Sequence, residues 1–305
     1  MSSTLTQTPA GPKAASTASP HADVERSVLL EPTQRTTPGL TAVRGAAAAA
    51  GSVVWKAAGI LAFLALWELG PTYLASASTR VFLPPLHEVL LAWGRLYETG
   101  TIQGHIVASL TRSVAGFGAA LVAGVSLGLL IAWYGRLNSI LNPLLELFRN
   151  TAALALLPVF TLLLGIGEES KISIVAYAAF FPVLLNTIAG VKTVDPLLIR
   201  AARSLGLNSF QLFHKVILPS AVPTIFTGIR MAGTASILVL IAAEMVGAKA
   251  GLGYLIVNAQ SSFLIPDMYA GILTVSLLGL GVNFLLVALE RHFSRWRTAV
   301  GATAS

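Results

Sequence analysis

From Ser113 to Tyr134 the chain carries no Asp, Glu, Lys or Arg. An uncharged apolar stretch of that length leaves little choice of environment, because about 20 such residues are what a helix needs to cross a bilayer core. Five further stretches qualify. Val53 to Leu74 holds Lys56 and Glu68 near its two ends, and Asn150 to Gly167 and Ile172 to Val191 are uncharged on either side of Glu168-Glu169-Ser170-Lys171. Pro223 to Val246 is interrupted by Arg230 and Glu244, and Met268 to Leu289 is again free of charge. In lipid a backbone must satisfy its own polar groups, so the pattern predicts an all-α membrane protein of six spans. Only 11% of the 305 residues are charged, against about a quarter in soluble domains.

Six spans put both termini on one side, and Lys and Arg collect on the cytoplasmic face. With the N-terminus inside, Lys13, Arg26, Arg35, Arg44, Arg136, Arg149, Lys192, Arg200, Arg203, Lys215, Arg291, Arg295 and Arg297 fall in cytoplasmic segments. Arg80, Arg95, Lys171 and Lys249 remain outside. The expected topology is N-in, C-in, and the net charge of +7 is read as orientation in a lipid bilayer rather than affinity for nucleic acid. Residues 1–50, rich in Ser, Thr, Ala and Pro, read as a disordered cytoplasmic tail. The first transmembrane helix takes 51–76, a periplasmic connector 77–104, a five-helix transmembrane domain 105–296, and a short tail 297–305. The chain has no cysteine, which excludes disulfides, thiolate metal sites and thiol nucleophiles. It also lacks a GxxxxGK[ST] phosphate loop and an HExxH helix. It is therefore not read as an enzyme, and no cofactor is expected.

Gly116, Ala120, Gly124 and Gly128 recur every four residues, giving one helix face that another helix can approach closely. Pro158 and Pro182 fall inside the third and fourth predicted spans as kink positions. Arg112, at the outer end of the second span, is read as snorkelling to the interface.

The segment between the fourth and fifth spans carries the most information. Asp195-Pro196 starts a helix, with Asp as the N-cap and Pro in the first turn. Gly206 stops it. Asn208 with Gln211 three residues on opens a second helix through Phe210, Phe213 and Ile217, and Pro219 starts the fifth span. The elbow 195–219 is apolar and basic. Two readings fit it: a knob that docks in a groove of a soluble partner, or an interfacial joint between spans.

Ile199-Arg200-Ala201-Ala202-Arg203-Ser204-Leu205-Gly206 followed by Val216-Ile217-Leu218-Pro219 resembles the "EAA" signature of binding-protein-dependent ABC importer permeases of type I. Arg200 stands where that family usually has glutamate. Ala108-Ser109-Leu110-Thr111-Arg112, Gly165-Ile166-Gly167-Glu168, Phe181-Pro182, Gly228-Ile229-Arg230, Ala243-Glu244-Met245 and Gly251-Leu252-Gly253-Tyr254 resemble its sulfonate, taurine and nitrate branch. Phe148-Arg149-Asn150 and Leu154-Ala155-Leu156-Leu157-Pro158 are most similar to aliphatic-sulfonate permeases, although relatives often carry prolines where this chain has Thr151-Ala152.

The resemblance implies a permease homodimer in the cell inner membrane, a separate ATP-binding cassette ATPase below and a periplasmic substrate-binding protein above. It implies that Arg200, Ala201, Ala202, Gly206, Ile217 and Pro219 belong to the elbow that couples to the ATPase. The cargo it implies is a small organic anion, an alkanesulfonate or taurine ahead of nitrate. Arg230, Glu244 and Asn186 are candidate pathway or gate residues, since ionisable groups at membrane depth usually have a role. Each has a structural alternative, a bond to a neighbouring helix. A secondary transporter is the rival class, and it leaves the elbow unexplained.

Overall fold

The structure is a computed structural model, and it describes Trp55, residues 58–74 and residues 77–293. The tails 1–50 and 297–305 and the start of the first predicted span lie outside the described residues. Residues 58–69 are helical and continue as a π turn, Gly70–Leu74. From Leu64 onward the chain holds together as one unit. Its main helices are α1 (Leu86–Glu98), α2 (Thr101–Trp133), α3 (Gly135–Arg149), α4 (Leu157–Leu164), α5 (Glu168–Lys192), α6 (Pro196–Ser204), α7 (Ser209–Leu212), α8 (Leu218–Glu244), α9 (Leu252–Ser261) and α10 (Ile265–Phe293). Four helical stretches among the described residues are long and apolar enough to cross a membrane: α2, α5, Ser209–Glu244 and α10.

At the centre α5 lies between α2 and α8, and small residues set the spacing. A Cβ built on Gly116 would lie 2.7 Å from the Ile172 carbonyl, one on Gly124 would lie 2.9 Å from Val183, and one on Gly128 would lie 2.7 Å from Thr187. The four-residue stripe therefore forms the α2–α5 contact, with Ala120, Ala179, Val183 and Ala232 buried beside it. On the other side of α5, Gly228 of α8 abuts Asn186 and the Pro182 carbonyl. Close approach of this kind substitutes for the hydrophobic drive that lipid does not supply. At one end, Val89, Ala92 and Leu96 of α1 pack with Leu252, Leu255 and Ala270. Trp93 Nε1 donates to Thr274 Oγ1 at 3.1 Å, and Arg95 reaches Asp267 at 2.5 Å, fixing α1 to α10.

The third predicted span differs from expectation. Asn150 to Gly167 is not one helix: α3 ends at Arg149, and after a bend of 84° the chain resumes as a 3₁₀ turn, Ala153–Leu156, and then α4. Pro158 causes no kink, because it occupies the first turn of α4, where a missing N–H costs nothing. Gly135–Arg149 is no cytoplasmic loop either. Leu137, Leu141 and Leu145 pack along Ile131, Leu184 and Ile188, and Tyr177 donates its hydroxyl proton to the Phe148 carbonyl at 3.1 Å. Since Tyr177 lies well inside α5, the break at Asn150-Thr151-Ala152, with Arg149 at its edge, stands level with the middle of that long apolar helix rather than in the loop beyond its end where the sequence reading put Arg149.

Candidate functional site: the elbow and a buried ionic cluster

The elbow folds as its sequence directs. Asp195 Oδ1 accepts the Leu197 N–H at 2.7 Å. α6 ends with Gly206 at φ +78°, a left-handed conformation that glycine adopts without steric cost. The Gly206 N–H donates to the Arg203 carbonyl and the Leu207 N–H to the Ala202 carbonyl, closing the helix end. Asn208 and Gln211 form a reciprocal capping box, with Gln211 N to Asn208 Oδ1 at 2.8 Å and Asn208 N to Gln211 Oε1 at 3.2 Å. Beneath these caps Val194, Ala202, Leu212 and Ile217 make a small core. Pro219 stands in the first turn of α8.

The elbow's other face is uncovered. Leu197, Leu198, Leu205 and Phe210 are exposed, Leu205 by 80% and Phe210 by 70%, among exposed Ala201, Arg200 and Arg203. Of the six expected coupling residues, Ala202 and Ile217 therefore hold the elbow together and Gly206 turns it. Arg200 and Ala201 face out beside the apolar patch.

The candidate pathway residues do not converge. Arg230 of α8 is paired with Glu290 of α10 at 3.2 Å. Asn186 donates to the Pro182 carbonyl of its own helix at 2.8 Å, under Gly228. Glu244 is elsewhere, at the end of α8 with its carboxylate fully buried.

Around Glu244 lies a cluster that the sequence reading did not assemble. Arg112 does not snorkel: it is 4% exposed. Its Nη1 donates to Glu244 Oε1 at 2.6 Å and to the Ala250 carbonyl at 2.7 Å. Its Nε and Nη2 grip both oxygens of Glu168, Nη2 at 2.6 Å. Glu244 also accepts from the Ser109 hydroxyl at 2.8 Å and the Gly253 N–H at 3.0 Å. The Leu252 N–H donates to Ser109 Oγ at 2.9 Å and the Gly251 N–H to His105 Nδ1 at 3.1 Å. Gly251, at φ +120°, packs against the Glu244 carboxylate, where no side chain would fit. Lys171 is buried close by, its ammonium donating to the Gly167 carbonyl at 3.0 Å.

One guanidinium thus ties α2 to the first turn of α5, the end of α8 and the turn before α9. Four of the five guanidinium N–H donors are engaged, three of them on carboxylates, and such pairing is what keeping charge in an apolar interior requires. Arg112, Glu168, Glu244 and the Gly-Leu-Gly turn each belonged to a motif quoted above, and only their convergence was hidden. Among the described residues no three His, Cys, Asp or Glu side chains come together as metal ligands.

Residues 121–298 match the family described as "Binding-protein-dependent transport system inner membrane component". The chain is 36% identical over 225 residues to the taurine transport system permease protein TauC of Escherichia coli, covering 72% of this chain and 82% of TauC. It is 34% identical over 237 residues to a putative aliphatic sulfonates transport permease protein, SsuC, of Bacillus subtilis (77% and 85% covered). It is 32% identical over 248 residues to the bicarbonate transport system permease protein CmpB of Synechococcus elongatus (78% and 88% covered). In fold it is similar to a chain of the MetNI methionine ABC transporter, with a TM-score of 0.54 at 19% identity over 63% of this chain and 95% of that one. The apolar helices and these matches lead to one conclusion: this chain belongs to the binding-protein-dependent ABC importer permeases, as a multi-pass membrane component that is not itself an enzyme.

Proposed function

We propose that two copies of this chain form the translocation pathway of an inner-membrane importer for a small organic anion, an alkanesulfonate or taurine. The observation that carries the reading is the uncovered elbow: an apolar surface of Leu197, Leu198, Leu205 and Phe210, edged by Arg200 and Arg203, that no described part of the chain covers. An exposed apolar patch rimmed by charge marks a protein interface. The partner it suits is the separate ATP-binding cassette subunit. Closure of two such subunits on ATP would move the elbows, and the rigid caps at Asp195, Gly206 and Asn208 would carry that motion into α5 and α8. A periplasmic binding protein would deliver cargo at the other end, where the Glu244 cluster braces α2, α8 and the Gly251 turn as a gate. Arg230, beside Glu290, and Asn186, at the α5–α8 crossing, stand along the pathway in this account. The proposed orientation is N-in, C-in, on the distribution of Lys and Arg in the sequence.

The sulfonate reading rests on likeness to TauC and SsuC. Likeness to CmpB favours a second reading, an inorganic anion such as bicarbonate, with nitrate in the same class. The test is uptake of labelled taurine, an alkanesulfonate, nitrate and bicarbonate in cells with and without the chain. Loss of sulfonate or taurine uptake on deletion is expected, and loss of bicarbonate uptake alone would replace the cargo. In the same cells, Leu205→Asp with Phe210→Asp should leave the chain in the membrane but abolish co-purification of the ATPase. Undiminished co-purification would remove the docking role.

A further inference from the structure

The break between α3 and α4 opens a groove of about 440 Å³ between α5 and α8, within the roughly 300–1,000 Å³ of small-molecule sites. Its floor is the middle of two spanning helices: Phe181 and Asn186 of α5, and Met231, Ala235 and Val239 at every fourth residue of α8. At its rim, on the broken backbone, are Arg149 and Thr151.

Arg149 is the unusual member. A guanidinium at mid-depth is costly and calls for a partner or a role. Among the described residues its one polar partner is Glu146, one turn back on the same helix, with Nη2 at 3.0 Å from Glu146 Oε2. A guanidinium has five N–H donors, so Nε and Nη1 remain available and half of the side chain is exposed. The nearby polar atoms are already committed. Asn150 donates to the Glu146 carbonyl, Thr151 to the Leu147 carbonyl and Tyr177 to the Phe148 carbonyl, while Asn186 keeps its Oδ1 free of any protein donor. Arg230, the other cation of the bundle's middle, does not line this groove and is spent on Glu290.

We propose that this groove is the transient binding site for the passing anion, with Arg149 holding the sulfonate and the Met231, Ala235 and Val239 face receiving the alkyl chain. This rests on the reading of the cargo given above and names the residues that would select it. One feature argues for an anion with an apolar tail over a bare inorganic anion: apart from Arg149 and the second amide N–H of Asn186, the described lining offers no uncommitted side-chain donor, so the Met231, Ala235 and Val239 face suits an alkyl chain better than further oxygens. An unwound stretch at membrane depth is tolerated where it lines a cavity, which accounts for a break that no Pro or Gly imposes.

The test uses the whole importer in proteoliposomes, permease with ATPase and binding protein, and compares uptake of ethanesulfonate and hexanesulfonate. The same binding protein serves every variant, so its own selectivity cancels. Arg149→Gln should lower uptake of both about tenfold or more, the scale of a lost charge-assisted contact, and Arg149→Lys should recover most of it. Ala235→Leu narrows the apolar face and should lower the hexanesulfonate-to-ethanesulfonate ratio several-fold, about what a few displaced methylenes are worth. A merely structural groove would not move that ratio. Equal uptake by wild type and Arg149→Gln overturns the proposal and leaves the cargo reading standing. Should Arg149→Gln fail to assemble, an unchanged ratio in Ala235→Leu overturns it instead. No sulfonate uptake by the wild type removes the cargo reading and this site with it.

Discussion

At the scale of single residues, Arg112 and Arg230 show how differently two arginines of one bundle can be settled. Arg230 keeps 41% of its side chain exposed and meets one glutamate. Arg112 is enclosed and meets two glutamates and a carbonyl. Removing one partner of an enclosed pair leaves a charge with nothing to answer it, at about 3–5 kcal/mol, whereas replacing both by apolar groups is often close to neutral. Arg112→Met alone should therefore lower the stability of the detergent-solubilised chain by roughly that amount, since Glu244 is left buried. Arg112→Met with Glu244→Leu should cost less than Arg112→Met alone, because exposed Glu168 returns to water. Thermal unfolding of the two variants checks this, and a double variant worse than the single would mean the cluster is not held by its charge pair.

At the scale of elements, the α2 stripe and the broken third span mark the two limits of reading helices from a pattern. The glycine spacing on α2 was plain in the sequence because close helix contact tolerates only small side chains at regular intervals. It predicts a sign difference between neighbours on one helix. Gly118 has open space where a Cβ would be, so Gly118→Ala should stabilise by up to about 1 kcal/mol through helix propensity. Gly124 has Val183 at 2.9 Å, so Gly124→Ala should destabilise by about 1–3 kcal/mol through overpacking. Melting temperatures that move in the same direction for both would contradict the packing. The break at Asn150-Thr151-Ala152 was not legible, because none of these residues is a helix breaker and Pro158, the obvious suspect, proved to be a helix starter. What fixes the break is lateral: the Tyr177 bond to the Phe148 carbonyl and the packing of Leu137, Leu141 and Leu145 on α5.

At the scale of the whole molecule, the elbow and the Glu244 cluster occupy opposite ends of the same helices. α8 starts beneath the elbow core and ends at Glu244, while α5 runs from the Glu168 pairing to the segment before Asp195. Both ends are rigid for reasons of local chemistry, one by helix caps and the other by ion pairs, so a movement imposed at one would reach the other along continuous helices. The absence of native cysteine makes the arrangement directly testable. Ser209→Cys on the elbow and Ser261→Cys at the end of α9 are both at exposed positions. In intact cells a membrane-impermeant thiol reagent should label Ser261→Cys within minutes and leave Ser209→Cys unlabelled until the membrane is opened. The reverse pattern would invert the proposed topology.

The sequence by itself determined the helical class, four of the spans as regions, the small-residue face and the caps of the elbow. Each of these depends on local spacing: apolar length, a four-residue repeat, and caps within a few residues of the groups they satisfy. The tertiary structure alone decided that Arg112 is enclosed, that Glu168 and Glu244 share it, and that Arg149 stands at a break in mid-depth. Those facts depend on partners distant in the chain: Glu168 and Glu244 lie 56 and 132 residues from Arg112, and Tyr177 lies 29 from Phe148. No spacing in one stretch of sequence records which distant helix end will be brought beside it, because that is settled only when the helices pack.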